Sequence, residues 1–155
     1  MPKAGAFSAK MTSDLPENGP YYVFVYGTLK PGGRYWPQYA EGKVTASIPA
    51  MVHGTIYHLA ACGYPGVILG GSGWVHGYMH VFEEKSAMEA LDHLEGFVPG
   101  ADPSSCEYIR RTAPAFDPSG DPFATVWVYE MTAEKIAQLG GEKVPSGNWR
   151  AHNRS

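Results

Sequence analysis

A glutamate at the end of an apolar helical stripe is the residue whose position most directly indicates chemistry. Glu95 follows Met88 by seven residues and Leu91 by four, so on a helix the three side chains share one face. Burial on that face and the negative end of the helix dipole both raise the pKa of a carboxyl group. Such a group is suited to proton transfer near neutral pH. A solvated glutamate at a frayed helix end fits the same spacing, and periodicity leaves both interpretations open.

A second stretch of chemical interest follows the first predicted strand. Residues 21–26 are aromatic and β-branched, as in a buried strand, and Gly27 then permits a bend. Because glycine adopts backbone conformations closed to other residues, the amides of Gly27, Thr28 and Leu29 can point together into a cleft. Converging amides bind anions. The alternative is an ordinary turn after a core strand.

The helix that would carry Glu95 is the clearest one in the chain. Ser86 with Glu89 matches a capping box, and Gly96 is placed to end the helix. The pattern therefore predicts a helix over 86–95, with Glu95 in its last turn.

Predicted strands cover most of the remaining chain. They lie at 42–48, 52–59, 74–82, 108–113 and 123–130, and a second short helix is predicted at 132–139. The glycine-rich stretch 70–73 precedes a strand and has no Lys-Ser/Thr partner, so it is interpreted as a hairpin connection and not as a phosphate loop. Strands outnumber helices without regular alternation, which predicts a closed or nearly closed mixed sheet.

Length and charge limit the function further. With 155 residues, a net charge of −3 and 17% charged residues, the chain predicts one domain without attraction to nucleic acid or membrane surfaces. We expect a flexible N-terminal extension over 1–19, the domain over 20–150 and a polar tail over 151–155. No secretion signal or apolar run of roughly 20 residues is evident, so we expect a cytoplasmic protein. Cys62 and Cys106 are expected to be free thiols.

The spacing of the candidate residues supports neither a metal site nor a catalytic nucleophile. His76 and His80 lie on one predicted strand, where four residues separate them by roughly 13 Å, too far for one metal. Thr28 has no glycine-flanked elbow and no evident His/Asp partners for a triad. We therefore expect activity without a metal or nucleotide.

Four motifs in order resemble the γ-glutamylcyclotransferase-like family. They are Tyr26-Gly27-Thr28-Leu29, Leu91-Asp92-His93-Leu94-Glu95-Gly96-Phe97, Tyr108-Ile109-Arg110 and Gly147-Asn148-Trp149, which together cover roughly residues 22–150. The resemblance implies an α+β fold, a small mixed β-barrel with short flanking helices. It also implies a cofactor-free enzyme that cyclises a γ-glutamyl amine to 5-oxoproline and releases the free amine.

The resemblance also implies roles for particular residues. Glu95 is the expected catalytic general acid/base, and the expected substrate-binding residues are Tyr26, Gly27, Thr28, Leu29 and Tyr108. Arg110 is expected to face solvent, as charged residues of alternating strands usually do.

Two other functions fit the same residues. One is γ-glutamyl amide hydrolysis with Glu95 activating water, and the other is a non-catalytic protein that binds a small anion. The sequence does not fix the leaving amine, the oligomeric state, or the role of the proline-bearing loop 98–105.

Overall fold

The computed structural model describes residues 15–151. Residues 1–14 of the expected extension and 152–155 of the expected tail lie outside this range. Within it the elements are β1 (Tyr21–Val25), α1 (Trp36–Tyr39), β2 (Val44–Leu59), β3 (Tyr64–Phe82), α2 (Lys85–Leu94), β4 (Ile109–Phe116), β5 (Pro122–Glu130), α3 (Ala133–Gln138) and β6 (Gly141–Lys143). None of the helices in this part of the chain is long and apolar enough to cross a bilayer.

The six strands form one mixed sheet in the order β3-β1-β5-β4-β2-β6, and β2 also pairs with β3. The β1–β5 pair is parallel, and the other pairs are antiparallel. β1 and β5 are matched only at Val23↔Trp127, and β2 and β4 only at Met51↔Phe116. The α+β class and the mixed sheet with short helices are confirmed. The ring of strand pairings passes through these two narrow junctions, so the sheet is not a closed barrel.

β2 and β3 form one long antiparallel hairpin. The predicted strands 42–48 and 52–59 merge into β2, because exposed Pro49 lies where β2 pairs only with β3. The pairing jumps from His53↔Trp74 to Gly54↔Leu69, so residues 70–73 form an irregularity within β3. The interpretation of 70–73 as the hairpin connection is therefore wrong. Residues 60–63 form that turn, because the strand continues on both sides of the glycines.

Helix α2 is fixed at its C-terminal end. The N–H of Gly96 donates to the carbonyl of His93 at 3.2 Å, and the N–H of Phe97 donates to the carbonyl of Asp92 at 2.9 Å. This pair of bonds is a Schellman motif, and the φ of +68° at Gly96 is the left-handed conformation that the motif requires. Glu95 is therefore the C-cap residue, one position beyond the last helical residue.

The N-terminal end of α2 differs from the prediction. Glu84 occupies the N-cap position and its side chain makes no capping hydrogen bond. The capping box of Ser86 and Glu89 is not formed, because the helix already includes Lys85 before Ser86. The helix is held instead by its apolar face, where Met88 and Leu91 are fully buried in the larger of two core clusters.

Candidate active site

One cleft of about 190 Å³ brings the predicted site residues together. It lies between the end of β1, the loop that follows it, the C-terminus of α2 and the start of β4. Its lining includes Tyr26, Gly27, Thr28, Leu29, Glu95 and Tyr108, together with Tyr35, Tyr64, Pro65, Glu107 and Tyr129. Segments far apart in sequence thus meet at one cleft.

The backbone N–H and carbonyl of Glu95 are both hydrogen-bonded, and its side chain is free to line the cleft. Its N–H donates to the carbonyl of Leu91 at 2.9 Å, and its own carbonyl accepts the N–H of Tyr108 at 3.3 Å. The next pair continues this contact, since the N–H of Glu107 donates to the carbonyl of Gly96 at 3.1 Å. We call these two bonds between 95–96 and 107–108 the backbone clasp. The clasp places the C-cap of α2 and the start of β4 side by side.

The electrostatics of Glu95 favour a neutral carboxyl group. Burial, followed by the negative charges of Glu107 and Asp92, raises its pKa from 4.5 to about 8. No group within residues 15–151 hydrogen-bonds to its side chain. The residue is partly exposed, and it lines the cleft. Glu95 thus extends the apolar face of α2 and does not form a frayed, solvated helix end.

The Tyr26–Leu29 loop presents three unpaired amides. The loop is closed by a hydrogen bond from the N–H of Lys30 to the carbonyl of Gly27 at 3.1 Å, and the N–H of Tyr35 donates to the carbonyl of Thr28 at 2.9 Å. Within the described part of the chain, the N–H groups of Gly27, Thr28 and Leu29 donate to no other group. Backbone donors left free beside a cleft can bind an anion or a developing oxyanion.

Gly27 is required for a reason that the sequence did not indicate. Its φ is not in the left-handed region, so its backbone conformation is open to other residues. A Cβ at this position would lie 2.6 Å from Cγ and 2.8 Å from Cδ of Pro65, closer than side chains pack. Glycine is therefore needed because Pro65 packs directly against the loop backbone.

Tyr26 and Tyr108 are buried with their hydroxyl groups fixed. The Tyr26 hydroxyl donates to the carbonyl of Tyr129 at 2.6 Å, and the Tyr108 hydroxyl donates to the carbonyl of Pro65 at 2.6 Å. Burial raises the pKa of both phenols well above the usual value, so both remain neutral. Each oxygen keeps lone pairs that can accept a hydrogen bond from a bound molecule.

Glu107 is a second carboxylate in the cleft, and sequence reasoning missed it. It accepts a hydrogen bond from the hydroxyl of Tyr64, which also lines the cleft. Its position directly before Tyr108 was the available signal. Its negative charge matters because, after burial, it is the largest cause of the raised pKa of Glu95.

His80 supports the Tyr26–Leu29 loop from behind. Its Nε2 lies 2.8 Å from the carbonyl oxygen of Leu29, and its Nδ1 lies 3.0 Å from the hydroxyl oxygen of Ser47. Because a carbonyl only accepts, Nε2 carries the proton and Nδ1 accepts from Ser47. Burial lowers the pKa of His80, which keeps the ring neutral. The sequence drew attention to His80 only as a metal ligand, and its contact with Leu29 depends on the fold.

Arg110 is buried beneath the helix, so the expectation that it faces solvent is wrong. Its guanidinium forms an ion pair with Asp92, which also accepts the hydroxyl of Tyr129 at 2.6 Å. The guanidinium carbon lies 4.9 Å from the ring centroids of both Phe97 and Trp127. This face of β4 is covered by the end of α2, and the ion pair joins the helix to the sheet three residues before the C-cap.

No group of three or more His, Cys, Asp or Glu side chains in residues 15–151 is arranged to hold a metal ion. Cys62 and Cys106 are both free, as the sequence predicted.

One protein family matches most of this chain. The family model described as gamma-glutamyl cyclotransferase, AIG2-like, matches residues 23–151. No curated protein is similar enough in sequence to count as a match.

Similar folds occur among solved structures. An AIG2-like protein from Mus musculus is 18% identical with a TM-score of 0.63, over 86% of this chain and 90% of that one. A protein from Arabidopsis thaliana is 23% identical with a TM-score of 0.59, over 84% and 79%. YkqA from Bacillus subtilis is 20% identical with a TM-score of 0.62, over 87% of this chain but only 41% of YkqA. At these identities the likeness concerns the fold.

Proposed function

Because this chain belongs to the gamma-glutamyl cyclotransferase, AIG2-like family, we propose that it cyclises a γ-glutamyl amine to 5-oxoproline and releases the free amine, with Glu95 as general acid and base. The observation that carries the proposal is the Glu95 carboxyl group, whose pKa is raised to about 8 in a cleft that also holds three unpaired amides. Proton transfer and anion binding are the two tasks that this reaction requires.

Substrate binding prepares Glu95 for its first task. At neutral pH the free carboxyl group is mostly protonated, since its pKa is about 8. The α-ammonium group of a γ-glutamyl compound beside it favours the carboxylate, because an opposite charge stabilises the ionised form. Phenol oxygens of Tyr26 and Tyr108 accept hydrogen bonds from the same ammonium. Glu95 thus releases its proton to the solvent when the substrate binds, and the resulting carboxylate is the base.

The chemistry then proceeds within the substrate. Glu95 takes a proton from the α-ammonium, and the freed amine attacks the γ-carbonyl carbon to close the five-membered ring. Glu95 delivers this proton to the leaving nitrogen of the tetrahedral intermediate and then takes a second proton from the ring nitrogen. It passes the second proton to the departing amine as the old carbon–nitrogen bond breaks. Two protons leave the α-nitrogen in all, and the amine departs as an ammonium ion. Holding the substrate folded supplies much of the lowering of the barrier, because the attack is intramolecular.

The Tyr26–Leu29 loop stabilises negative charge in this scheme. The N–H groups of Gly27, Thr28 and Leu29 bind the oxyanion that develops on the γ-carbonyl or the α-carboxylate of the substrate. The oxyanion and the α-carboxylate are both small enough to accept hydrogen bonds from free backbone amides, so neither needs a metal ion for its stabilisation.

The test is product analysis with a panel of γ-glutamyl amines. The panel contains γ-glutamyl derivatives of an amino acid, a peptide, a polyamine and the lysine side chain, and each reaction is followed by release of 5-oxoproline and free amine. Glu95→Gln keeps the shape of the side chain but cannot transfer a proton, so we expect turnover to fall by about 100- to 10,000-fold. Glu89→Gln, on the exposed face of the same helix, is the matched control and should retain activity.

The outcomes separate the candidate functions. Glutamate in place of 5-oxoproline would show hydrolysis, and saturable binding without either product would show a binding protein. A Glu95→Gln variant with near-wild-type turnover would contradict the proposed role of Glu95.

A further inference from the structure

A second groove lies apart from the cleft described above. It consists of two adjoining hollows of about 400 Å³ and 300 Å³, which share His76, Asn148 and Arg150 in their walls. Lys30 and Tyr78 also line the larger hollow. None of its lining residues lines the cleft that contains Glu95. We call these two hollows together the basic groove.

The groove is positively charged although the chain is acidic overall. The chain carries a net charge of −3, yet Lys30 and Arg150 line the groove and no aspartate or glutamate does. Within residues 15–151, neither Lys30 nor Arg150 forms a salt bridge. Two uncompensated cations in one concave surface attract an anion.

Lys30 is held in a fixed position. Its Nζ donates to the carbonyl of Trp149 at 2.5 Å and to the side-chain oxygen of Asn148 at 3.3 Å. Because that oxygen of Asn148 accepts from Lys30, the amide NH₂ of Asn148 is left to donate elsewhere. Ordering of these donors before binding lowers the entropic cost of holding an anion.

The C-terminal wall of the groove is also anchored. The carbonyl of Gly147 accepts the N–H of His76 at 2.8 Å, which fixes the segment 147–150 beside β3. Trp149 is buried, and its Nε1–H donates to Nδ1 of His58 at 3.0 Å. Asn148 and Arg150 therefore flank a buried anchor, so the wall does not depend on surface side chains alone.

We propose that the basic groove binds a small anion bearing carboxylate or phosphate groups, held by Lys30, Arg150 and the NH₂ group of Asn148. Burial lowers the pKa of Lys30, and the positive charge of Arg150 lowers it in the same direction. An anion placed between the two cations removes this repulsion and gains charge-assisted hydrogen bonds. The inference goes beyond the proposed function, because it concerns a different cavity and does not require turnover.

Isothermal titration calorimetry tests the proposal directly. Inorganic phosphate and citrate are titrated into the full chain, with sodium chloride used to hold the ionic strength constant. We expect saturable binding of one anion per chain, and the preferred probe shows whether phosphate or carboxylate is the better ligand. Arg150→Gln and Lys30→Gln should each weaken binding by about tenfold or more, because each removes a charged donor. Lys143→Gln, an exposed cation of β6 outside the groove, is the matched control and should bind as the wild type does.

Backbone amide NMR shifts during the same titrations locate the anion. Shifts centred on Lys30, His76 and 147–150 support the groove, whereas shifts centred on 27–29 would place the anion in the Glu95 cleft and overturn the proposal. No saturable binding of either probe, or equal weakening by Lys143→Gln, would also overturn it. Arg150 is exposed, so its replacement tests the groove even if Lys30→Gln disturbs the fold. Formation of 5-oxoproline tests the Glu95 cleft and anion binding tests the basic groove, so the two proposals fail independently.

Discussion

Replacing Gly27 with alanine adds a single carbon at the most crowded point of the cleft. That Cβ would lie 2.6 Å from Cγ and 2.8 Å from Cδ of Pro65, whereas ordinary contacts begin at 3.4 Å. The loop and Pro65 must therefore separate by roughly 1 Å. The loop carries the three unpaired amides, so this movement displaces the groups that would stabilise the oxyanion.

The expected loss of activity follows from that displacement. A misplacement of about 1 Å costs on the order of 100-fold in rate, and loss of one oxyanion donor costs about 100- to 1000-fold. We therefore expect kcat/KM of Gly27→Ala for 5-oxoproline formation to fall by about 100-fold or more. Overpacking costs about 1–3 kcal/mol, so thermal unfolding should remain cooperative at a lower Tm. Thr28→Ser is the mild control, because the amide and the hydroxyl group remain.

A second substitution separates contact from conformation. Pro65→Ala removes both carbons that the new Cβ would meet, so adding it to Gly27→Ala should restore kcat/KM to within about tenfold of Pro65→Ala alone. If glycine were needed for its backbone freedom, Pro65→Ala would restore nothing. A fully active Gly27→Ala protein would show that the loop is only a turn, and a double variant as inactive as Gly27→Ala would refute the contact explanation.

Four further predictions follow from the same site. Glu107→Gln removes a negative charge that raises the pKa of Glu95. The low-pH limb of the kcat/KM profile should therefore move to lower pH. A limb that does not move would count against this coupling. Glu95 binds its proton more tightly in the folded state, since its pKa rises from 4.5 to about 8, so wild-type stability in urea should fall as pH rises through this range. Glu95→Gln should flatten that dependence, and parallel curves for the two proteins would contradict it. His80→Leu leaves the carbonyl of Leu29 without its hydrogen-bond donor and should lower kcat/KM by about tenfold. His80→Gln can still donate to this carbonyl and should recover part of the activity. Equal losses in the two variants would refute the positioning role of His80. Dialysis against a strong chelator should leave 5-oxoproline formation unchanged, and activity restored by one particular metal would show that the expectation is wrong.

Features that depend on neighbours along the chain were predictable. The stripe of Met88, Leu91 and Glu95 follows from helical spacing, and the structure buries Met88 and Leu91 in the core and lines the cleft with Glu95. The β4–β5 hairpin follows from two alternating runs around turn residues, and it forms over 109–130. In these cases the pattern and the contact lie in the same short segment.

Features that depend on distant partners were not predictable. Arg110 is buried because α2 covers its strand, and nothing near it in sequence shows that Asp92 is its partner. Gly27 is needed because Pro65 packs on it, and His80 matters because Leu29 lies above it. The glycines of 70–73 looked like a connection because the pairing of their flanking residues with β2 cannot be read locally.

The backbone clasp has a consequence for protein engineering. Its two hydrogen bonds join 95–96 to 107–108, and they close the base of the intervening segment like the neck of a loop. No residue of 98–105 lines the Glu95 cleft, although the segment leaves α2 and returns beside it. Length added to a loop whose base is closed costs little free energy, about 0.6 kcal/mol for each doubling. The segment 98–105 is therefore a natural place to graft a peptide tag or a second binding module while Glu95 keeps its position.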